Sequence, residues 1–272
     1  MSAEGKYIYC IINGREEKDF DHVGIGGRED RVHTVVFEDI AAVVSNSPIG
    51  QYPISRENTL VHMKAMEMFM EDYVILPVKF NTIAEGNERR SPQERIKLEI
   101  LKARYKELKD LLASMSNKIE LGLKAIWIDM EAIFMEIAGE NKDIEELKKR
   151  ISTGNSSRTY SQRIKLGEMV KKALDDKRAM EESKILNILN GAYHALRQNK
   201  IFGDNMITNS AFLVDKSRIK EFDNLIEKLN SVYKGRTKLK YVGPSPPCNF
   251  VELVITMRGG KDERGEESNY RI

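Results

Sequence analysis

Ser91-Pro92-Gln93-Glu94 opens the stretch that decides the architecture, and Leu121-Gly122-Leu123-Lys124-Ala125-Ile126-Trp127-Ile128 closes it. Ser91 can cap a helix, Pro92 suits its first turn, and Glu94 completes a capping box. Ile96, Ile100, Tyr105, Leu108, Leu112 and Met115 then recur at helical spacing, which predicts one helix running to about Ser116. A new strand-like run starts at Leu121. A capped helix followed by a fresh strand places a domain boundary near Asn117–Glu120.

Upstream of that stretch, strands dominate. Tyr7–Ile12 is β-branched and aromatic and ends at the turn pair Asn13-Gly14. Val32–Phe37 and Ile40–Ser45 flank Glu38-Asp39 and read as a hairpin. Ser55 caps a predicted helix from Arg56 to Asp72, with Val61, Ala65, Met68 and Phe69 as its apolar face. Tyr73–Phe80 reads as a strand, and Pro77 within it marks an edge or a bulge, because proline cannot donate to a ladder.

Downstream, short helices are predicted over Glu131–Ala138 and Asp143–Ile151. A long helix follows over 160–198, and Leu166, Ala173 and Met180 repeat at seven, giving it a coiled-coil-like character. Met206–Val214 reads as a strand. Asp215 can cap the next helix, whose stripe is Ile219, Phe222, Leu225, Ile226, Leu229 and Val232 and whose end is Gly235. The last predicted strands, Arg236–Val242 and Asn249–Met257, are joined by Gly243-Pro244-Ser245-Pro246-Pro247 as a rigid hairpin closure, with Phe250 in the core. This order predicts an α+β protein of two domains. Both are read as ferredoxin-like α/β sandwiches with helices on one sheet face, the second with a long coiled-coil-like helical insertion. The expected division is 1–118, 119–258 and a disordered charged tail over 259–272.

Composition excludes several classes. With 44 Lys+Arg against 42 Asp+Glu, the net charge of +2 lacks the basic excess that phosphate neutralisation demands, so no nucleic acid partner is expected. No apolar run reaches the roughly 20 residues that span a bilayer, and no lipid membrane partner is expected. The polar start, Met1–Lys6, gives no signal-peptide pattern. Cys10 and Cys248 lie far apart and form no ligand motif, which fits a reducing, cytoplasmic setting.

Candidate chemistry is sparse. Gly24-x-Gly26-Gly27 leads into a strand rather than a helix and lacks a following Lys-Ser/Thr, so it reads as a turn and not a phosphate loop. His22, His33, His62 and His194 show no metal-ligand spacing, and neither cysteine sits in a nucleophile motif. No strand carries the basic-glycine-aromatic run of an RNA-recognition sheet. The readings are therefore no catalytic residue, no cofactor and no metal. Met63, Met66, Met68 and Met70 exceed what one buried face of a helix needs, and methionine surfaces adapt to apolar partners.

Two segments carry a resemblance. One is Asp72-Tyr73-Val74-Ile75-Leu76-Pro77-Val78-Lys79-Phe80-Asn81-Thr82-Ile83, preceded by Glu57-Asn58-Thr59-Leu60-Val61-His62. The other is Gly243-Pro244-Ser245-Pro246-Pro247-Cys248-Asn249-Phe250-Val251. With Tyr7-Ile8-Tyr9 and Ile40–Ser45 in the same order along the chain, they resemble the gas vesicle protein F/L family (GvpF/GvpL). Asn81 stands where that family usually has glycine, and Asn tolerates a left-handed backbone. Ser245 and Cys248 replace the usual tryptophan and tyrosine. The resemblance implies two α+β domains and a non-enzymatic accessory protein of gas vesicle assembly, located at the gas vesicle in the cytoplasm. It also implies as partners the small shell-forming protein (GvpA-type) and other gas vesicle accessory proteins. The alternative class is an enzyme or nucleotide-using module on a ferredoxin-like scaffold, which fold alone does not separate. For a binding surface, the edge strand and the methionine-rich helix point to Met66, Met70, Leu76, Pro77, Val78 and Phe80. The competing site is the turn with Pro244, Pro246, Pro247 and Phe250.

Overall fold

The computed structural model describes residues 4–153, 160–255 and 270–271. Two compact units emerge: Met1–Glu120 together with Pro244–Ile272, and Leu121–Gly243. The segment from Pro244 onward thus belongs to the first unit, whereas the sequence division puts 244–258 in the second.

The first unit is built on β1 (Glu4–Ile12), β2 (Asp19–Val23), β3 (Arg31–Phe37), β4 (Ile40–Pro48), β5 (Ile75–Pro77) and β6 (Ile83–Ala84). The strand order is β2-β3-β4-β1-β5, with β6 also on β1. The β3–β4 hairpin forms with Phe37 opposite Ile40. β1 is buried along nearly its whole length, because helices cover both faces of this sheet and not one as the sequence reading has it. One core holds Ile8 and Ile11 with Ile96, Ile100, Leu101, Leu108 and Leu112. The other holds Tyr7, Tyr9, Cys10 and Ile12 with Ala65, Met66 and Phe69. A strand buried on both faces reads as a continuous apolar run, which is what Tyr7–Ile12 is. The register against β4 shifts between Ile8 and Cys10. That bulge puts two consecutive residues, Tyr9 and Cys10, in the same core.

Helix α1 (Arg56–Met70) starts at the Ser55 cap, whose hydroxyl accepts from the Asn58 amide at 3.1 Å. Its buried face is His62, Ala65, Met66 and Phe69, spaced three, one and three. The opposite face is covered by α2 (Pro92–Arg95), a π-helical segment (Ile96–Lys102) and α3 (Tyr105–Met115). The Ser91–Glu94 capping box forms as read. The C-terminal strand β11 (Glu252–Leu253) pairs with β12 (Tyr270–Arg271), and not with a preceding strand as a hairpin closure requires. Leu253 also bridges in parallel to Val78 beyond the end of β5. The expected disordered tail otherwise lies outside the described residues.

The second unit runs β7 (Lys118–Trp127), α4 (Met130–Glu140), α5 (Lys142–Thr153), α6 (Tyr160–Leu189), β8 (Ala195–Gln198), β9 (Met206–Asp215), α7 (Ile219–Val232) and β10 (Thr237–Ser245). Its sheet order, β10-β7-β9-β8, is the βαββαβ arrangement of a ferredoxin-like sandwich. The first unit, with four strands before its first helix and β2 at the edge, does not share that order. The long helix ends at Leu189 rather than 198. Gly191 takes φ +83, the left-handed conformation that terminates helices, and Ala195–Gln198 turns back to pair antiparallel with Leu213–Ser210. Asp215 does not cap α7; a 3₁₀ turn (Lys216–Arg218) intervenes, and its carboxylate lies 2.7 Å from His194 Nε2.

Candidate functional site

The sequence-predicted binding residues are mostly interior. Met66 is 1% exposed and belongs to the α1 core. Leu76 and Val78 are buried in the opposite core, and Pro77 is buried between them. Met70 and Phe80 are half-buried against the α1 side. β5 does stand at the end of the strand path. Its continuation is nevertheless occupied, because the Lys79 amide donates to the Leu253 carbonyl at 3.1 Å. These residues build the fold and offer no continuous surface.

The competing turn is also tied down. Pro246, Pro247 and Phe250 are buried and Pro244 is exposed. The buried Glu120 carboxylate accepts from the Asn249 backbone amide at 2.8 Å and from its side-chain amide at 2.5 Å. Burial raises the Glu120 carboxyl above its ordinary value, and the two Asn249 bonds oppose that rise. Burial also pushes the Cys248 thiol up to about 12, so it is an inert small hydrophobe.

Beneath α1 lies a polar seam that sequence reading missed. Tyr7, Tyr9, Tyr52, His62 and Phe80 pack edge-on or tilted, with centroids 4.9 to 6.3 Å apart. The Asn81 amide donates to Tyr7 Oη at 3.1 Å, and Tyr7 Oη lies 3.0 Å from His62 Nδ1. Tyr7 and His62 thus share one buried hydrogen bond. Burial holds the His62 pKa down at about 4, against a weaker opposing bond to the Val78 backbone. Asn81 has φ +68, the left-handed backbone expected at that position. Its side chain does further work: Oδ1 accepts from the Tyr52 amide and Nδ2 donates to the Tyr52 carbonyl, both at 2.8 Å. The glycine stretch packs here too. A Cβ on Gly24 would fall 2.5 Å from Ser45 Oγ, and one on Gly26 (φ +92) 2.7 Å from the Tyr52 ring. These glycines permit close packing, so the turn read from sequence is a tight one.

A cleft of about 610 Å³ lies in the first unit at the end of β1. Ile12, Phe20, Tyr73, Val74 and Leu112 form its apolar lining, and Arg15, Glu16, Lys18, Asp39 and Lys109 its charged rim. Asp39 accepts from Tyr105 Oη at 2.6 Å and from Lys109 Nζ at 2.5 Å. Those two bonds, Lys109 foremost, hold its carboxyl below the usual range. The cleft lies beside β2, the other end of the strand path. Only Asn13-Gly14 hinted at it in sequence. Phe20 was hidden in a polar stretch, and Leu112 was legible solely as a core residue.

In the second unit the polar residues form an ionic hub. Arg236 donates in bidentate fashion to Glu136 at 2.6 and 2.9 Å and also to Glu181 at 2.5 Å. Lys177, 6% exposed, lies 3.0 Å from both Glu136 and Glu140. Trp127 Nε1 donates to Glu181 at 2.7 Å. Arg236 chiefly, then Lys177, holds the Glu136 carboxyl at about 2. Two cations face three carboxylates in the hub, and each charged group contacts one of opposite sign, as in a structural network. Among the described residues, no group of three or more His, Cys, Asp or Glu is placed to hold a metal ion, and no helix is long and apolar enough to cross a membrane.

Both units are α+β, the buried polar groups described above serve packing, and the cleft at the end of β1 is apolar with a charged rim. The chain belongs to the gas vesicle synthesis protein GvpL/GvpF family, whose model matches residues 5–252. It is 24% identical over 266 residues to gas vesicle protein F1 of Halobacterium salinarum, covering 97% of this chain and 99% of that protein. To gas vesicle protein F of Dolichospermum flosaquae it is 21% identical over 253 residues, covering 91% and 97%. The crystal structure of GvpF from Anabaena sp. PCC7120 matches with a TM-score of 0.75 at 18% identity, covering 91% of this chain and 97% of that one. That of GvpF from Microcystis aeruginosa matches at 0.71 and 19%, covering 89% and 97%. Family membership gives the protein a role in gas vesicle formation.

Proposed function

We propose that the protein is a non-enzymatic accessory factor that binds the small apolar shell-forming subunit (GvpA-type) in the cytoplasm and supports nucleation of the vesicle wall, alongside other gas vesicle accessory proteins. A wall that excludes water needs a strongly apolar subunit, and such a subunit aggregates through exposed sheet edges unless a soluble partner covers it. This chain is unsuited to be the wall itself, with 32% charged residues and helices over its sheets. The observation that carries the reading is the cleft: the half-buried Phe20, Tyr73 and Val74 offer apolar surface beside an edge strand, and the charged rim keeps the free protein soluble. The earlier placement on Met66 and Leu76 is replaced by this one, since those side chains are buried.

The test is co-expression with the shell subunit from the same gene cluster, followed by affinity capture of this chain. Val74→Asp and Ala113→Arg alter the cleft at half-buried and exposed positions. Capture by the parent and its loss in both variants, with circular dichroism unchanged, supports the proposal. No capture by the parent removes the shell-binding reading. Undiminished capture by both variants removes the cleft.

A further inference from the structure

The second unit carries a surface that the cleft reading does not use. Helix α5 packs against α6, with Asp143 and Ile144 lining a groove with Met169, Lys172 and Ala173. Along α5, Ile144 is buried and Leu147 and Ile151 are half-buried; along α6, Leu166, Met169, Val170 and Ala173 are half-buried. Those side chains satisfy the helix pair. Yet Tyr160 is 73% exposed and Ile164 is 49% exposed. Tyr160, Ile164, Glu168 and Lys171 follow at intervals of four, four and three and form one ridge of α6, turned away from the α5 side. Lys165 and Lys172, seven residues apart, flank that ridge, and both are exposed.

The charge is lopsided. Between Tyr160 and Lys172 the only carboxylate is Glu168, against Arg163, Lys165, Lys171 and Lys172. None of these four cations, nor exposed Lys148 on α5, takes part in an ion pair among the described residues. Lys149 and Arg150 by contrast are matched within α5 by Glu145 at 2.7 Å and Glu146 at 3.3 Å. The chain as a whole has a net charge of only +2, so this ridge is a local feature and not a reflection of a basic protein.

We propose that the outer ridge of α6 from Tyr160 to Lys172 docks an acidic protein segment bearing an apolar anchor. Carboxylates of the partner face Lys165, Lys171 and Lys172, and its apolar side chain covers Tyr160 and Ile164. Charge complementarity chooses the occupant. Glu168, set within the ridge, repels a uniform phosphate backbone but suits a protein segment that carries one cation among its acids. Two apolar side chains are too few for a helix to lie in a bilayer, which needs a long apolar face. The surface is independent of the cleft, so its failure leaves the shell-binding proposal untouched, and the reverse holds.

The experiment uses the full chain and fluorescence anisotropy with four probes. These are a helical glutamate-rich peptide with leucines four apart, the same peptide with serines for leucines, a short DNA duplex, and vesicles of phosphatidylglycerol and phosphatidylcholine. The leucine peptide is expected to bind best and to weaken about tenfold from low to physiological salt. Lys165→Glu with Lys172→Glu is expected to weaken it at least about tenfold. Tyr160→Ser with Ile164→Ser is expected to abolish the preference for leucine over serine. All four positions are half-exposed or exposed, and circular dichroism verifies that each variant is folded. The proposal is overturned if the leucine peptide does not bind, if the charge-reversed variant binds it equally, or if DNA or vesicles bind as tightly as the peptide.

Discussion

His62 is the group through which the first unit should sense acid. It sits on α1, 5% exposed, with Nδ1 3.0 Å from Tyr7 Oη and its pKa held at about 4 by burial. In the unfolded chain the same ring titrates near 6.5. The folded value is the lower one, so as pH falls the unfolded chain takes up the proton first. The contribution to stability is complete above about pH 6.5 and is lost as pH falls towards 4. Between neutral pH and about pH 4.5 the loss integrates to ~2.5 kcal/mol. The lone tryptophan, Trp127, lies in the other unit, so its fluorescence reports on the wrong core. Amide hydrogen exchange at Ile8 and Ile11 in β1 reads the first unit directly. His62→Gln keeps polar atoms near Tyr7 and Val78 but cannot titrate. It is expected to cost about 1–2 kcal/mol at neutral pH, and its exchange protection should fall less steeply with acid than the parent's, by the ~2.5 kcal/mol assigned to the histidine. Parallel pH profiles for parent and variant would refute the reasoning, because they would mean that His62 is protonated in the folded state at no special cost.

Asn81→Ala is expected to lower stability by about 2–3 kcal/mol, since it loses both bonds to Tyr52 and keeps the φ of +68. Asn81→Gly loses the same bonds but relieves the backbone, so its urea midpoint should lie between that of the alanine variant and the parent. Arg236→Met leaves Glu136 to Lys177 alone and the buried Glu181 to the Trp127 indole alone, and about 3 kcal/mol should be lost from the second unit, read by Trp127 fluorescence because that indole donates to Glu181. In the parent, the depressed Glu136 carboxyl gives stability that is present above pH 4.5 and lost as pH falls through about 2; in the Arg236 variant, with only Lys177 left beside Glu136, that step should be smaller and lie at higher pH. Met66→Asp should unfold the first unit outright, visible as lost protection throughout β1, because it places a charge in a sealed core.

What the sequence made legible follows from the range over which each signal acts. The Ser55 cap, the Ser91–Glu94 capping box and the Phe37–Ile40 hairpin are set by neighbours within a few residues, and all three formed as read. The left-handed turn at Asn81 was legible only through the family resemblance, in which glycine usually stands there. Periodicity misled where two structures share one pattern. Ala192 and Leu196 continue the spacing of Ile185 and Leu189, yet Gly191 ends the helix and Leu196 pairs with Phe212 in a strand. The methionines of α1 looked surplus to one buried face. That count assumed a helix meeting one sheet, whereas α1 lies over a dense aromatic layer that Met63, Met68 and Met70 also touch. Least legible was whatever depends on residues remote in sequence. Glu120 meeting Asn249 moves the C-terminal turn out of the second unit and into the first, and no local pattern encodes it. The cleft is of the same kind: Phe20, Val74 and Leu112 come from three separate stretches of the chain. The ridge on α6 is the exception among surfaces. Tyr160, Ile164, Lys165, Lys171 and Lys172 lie within a few turns of one helix, so their helical spacing could be read from the chain, and the structure added which face of the helix was already in use.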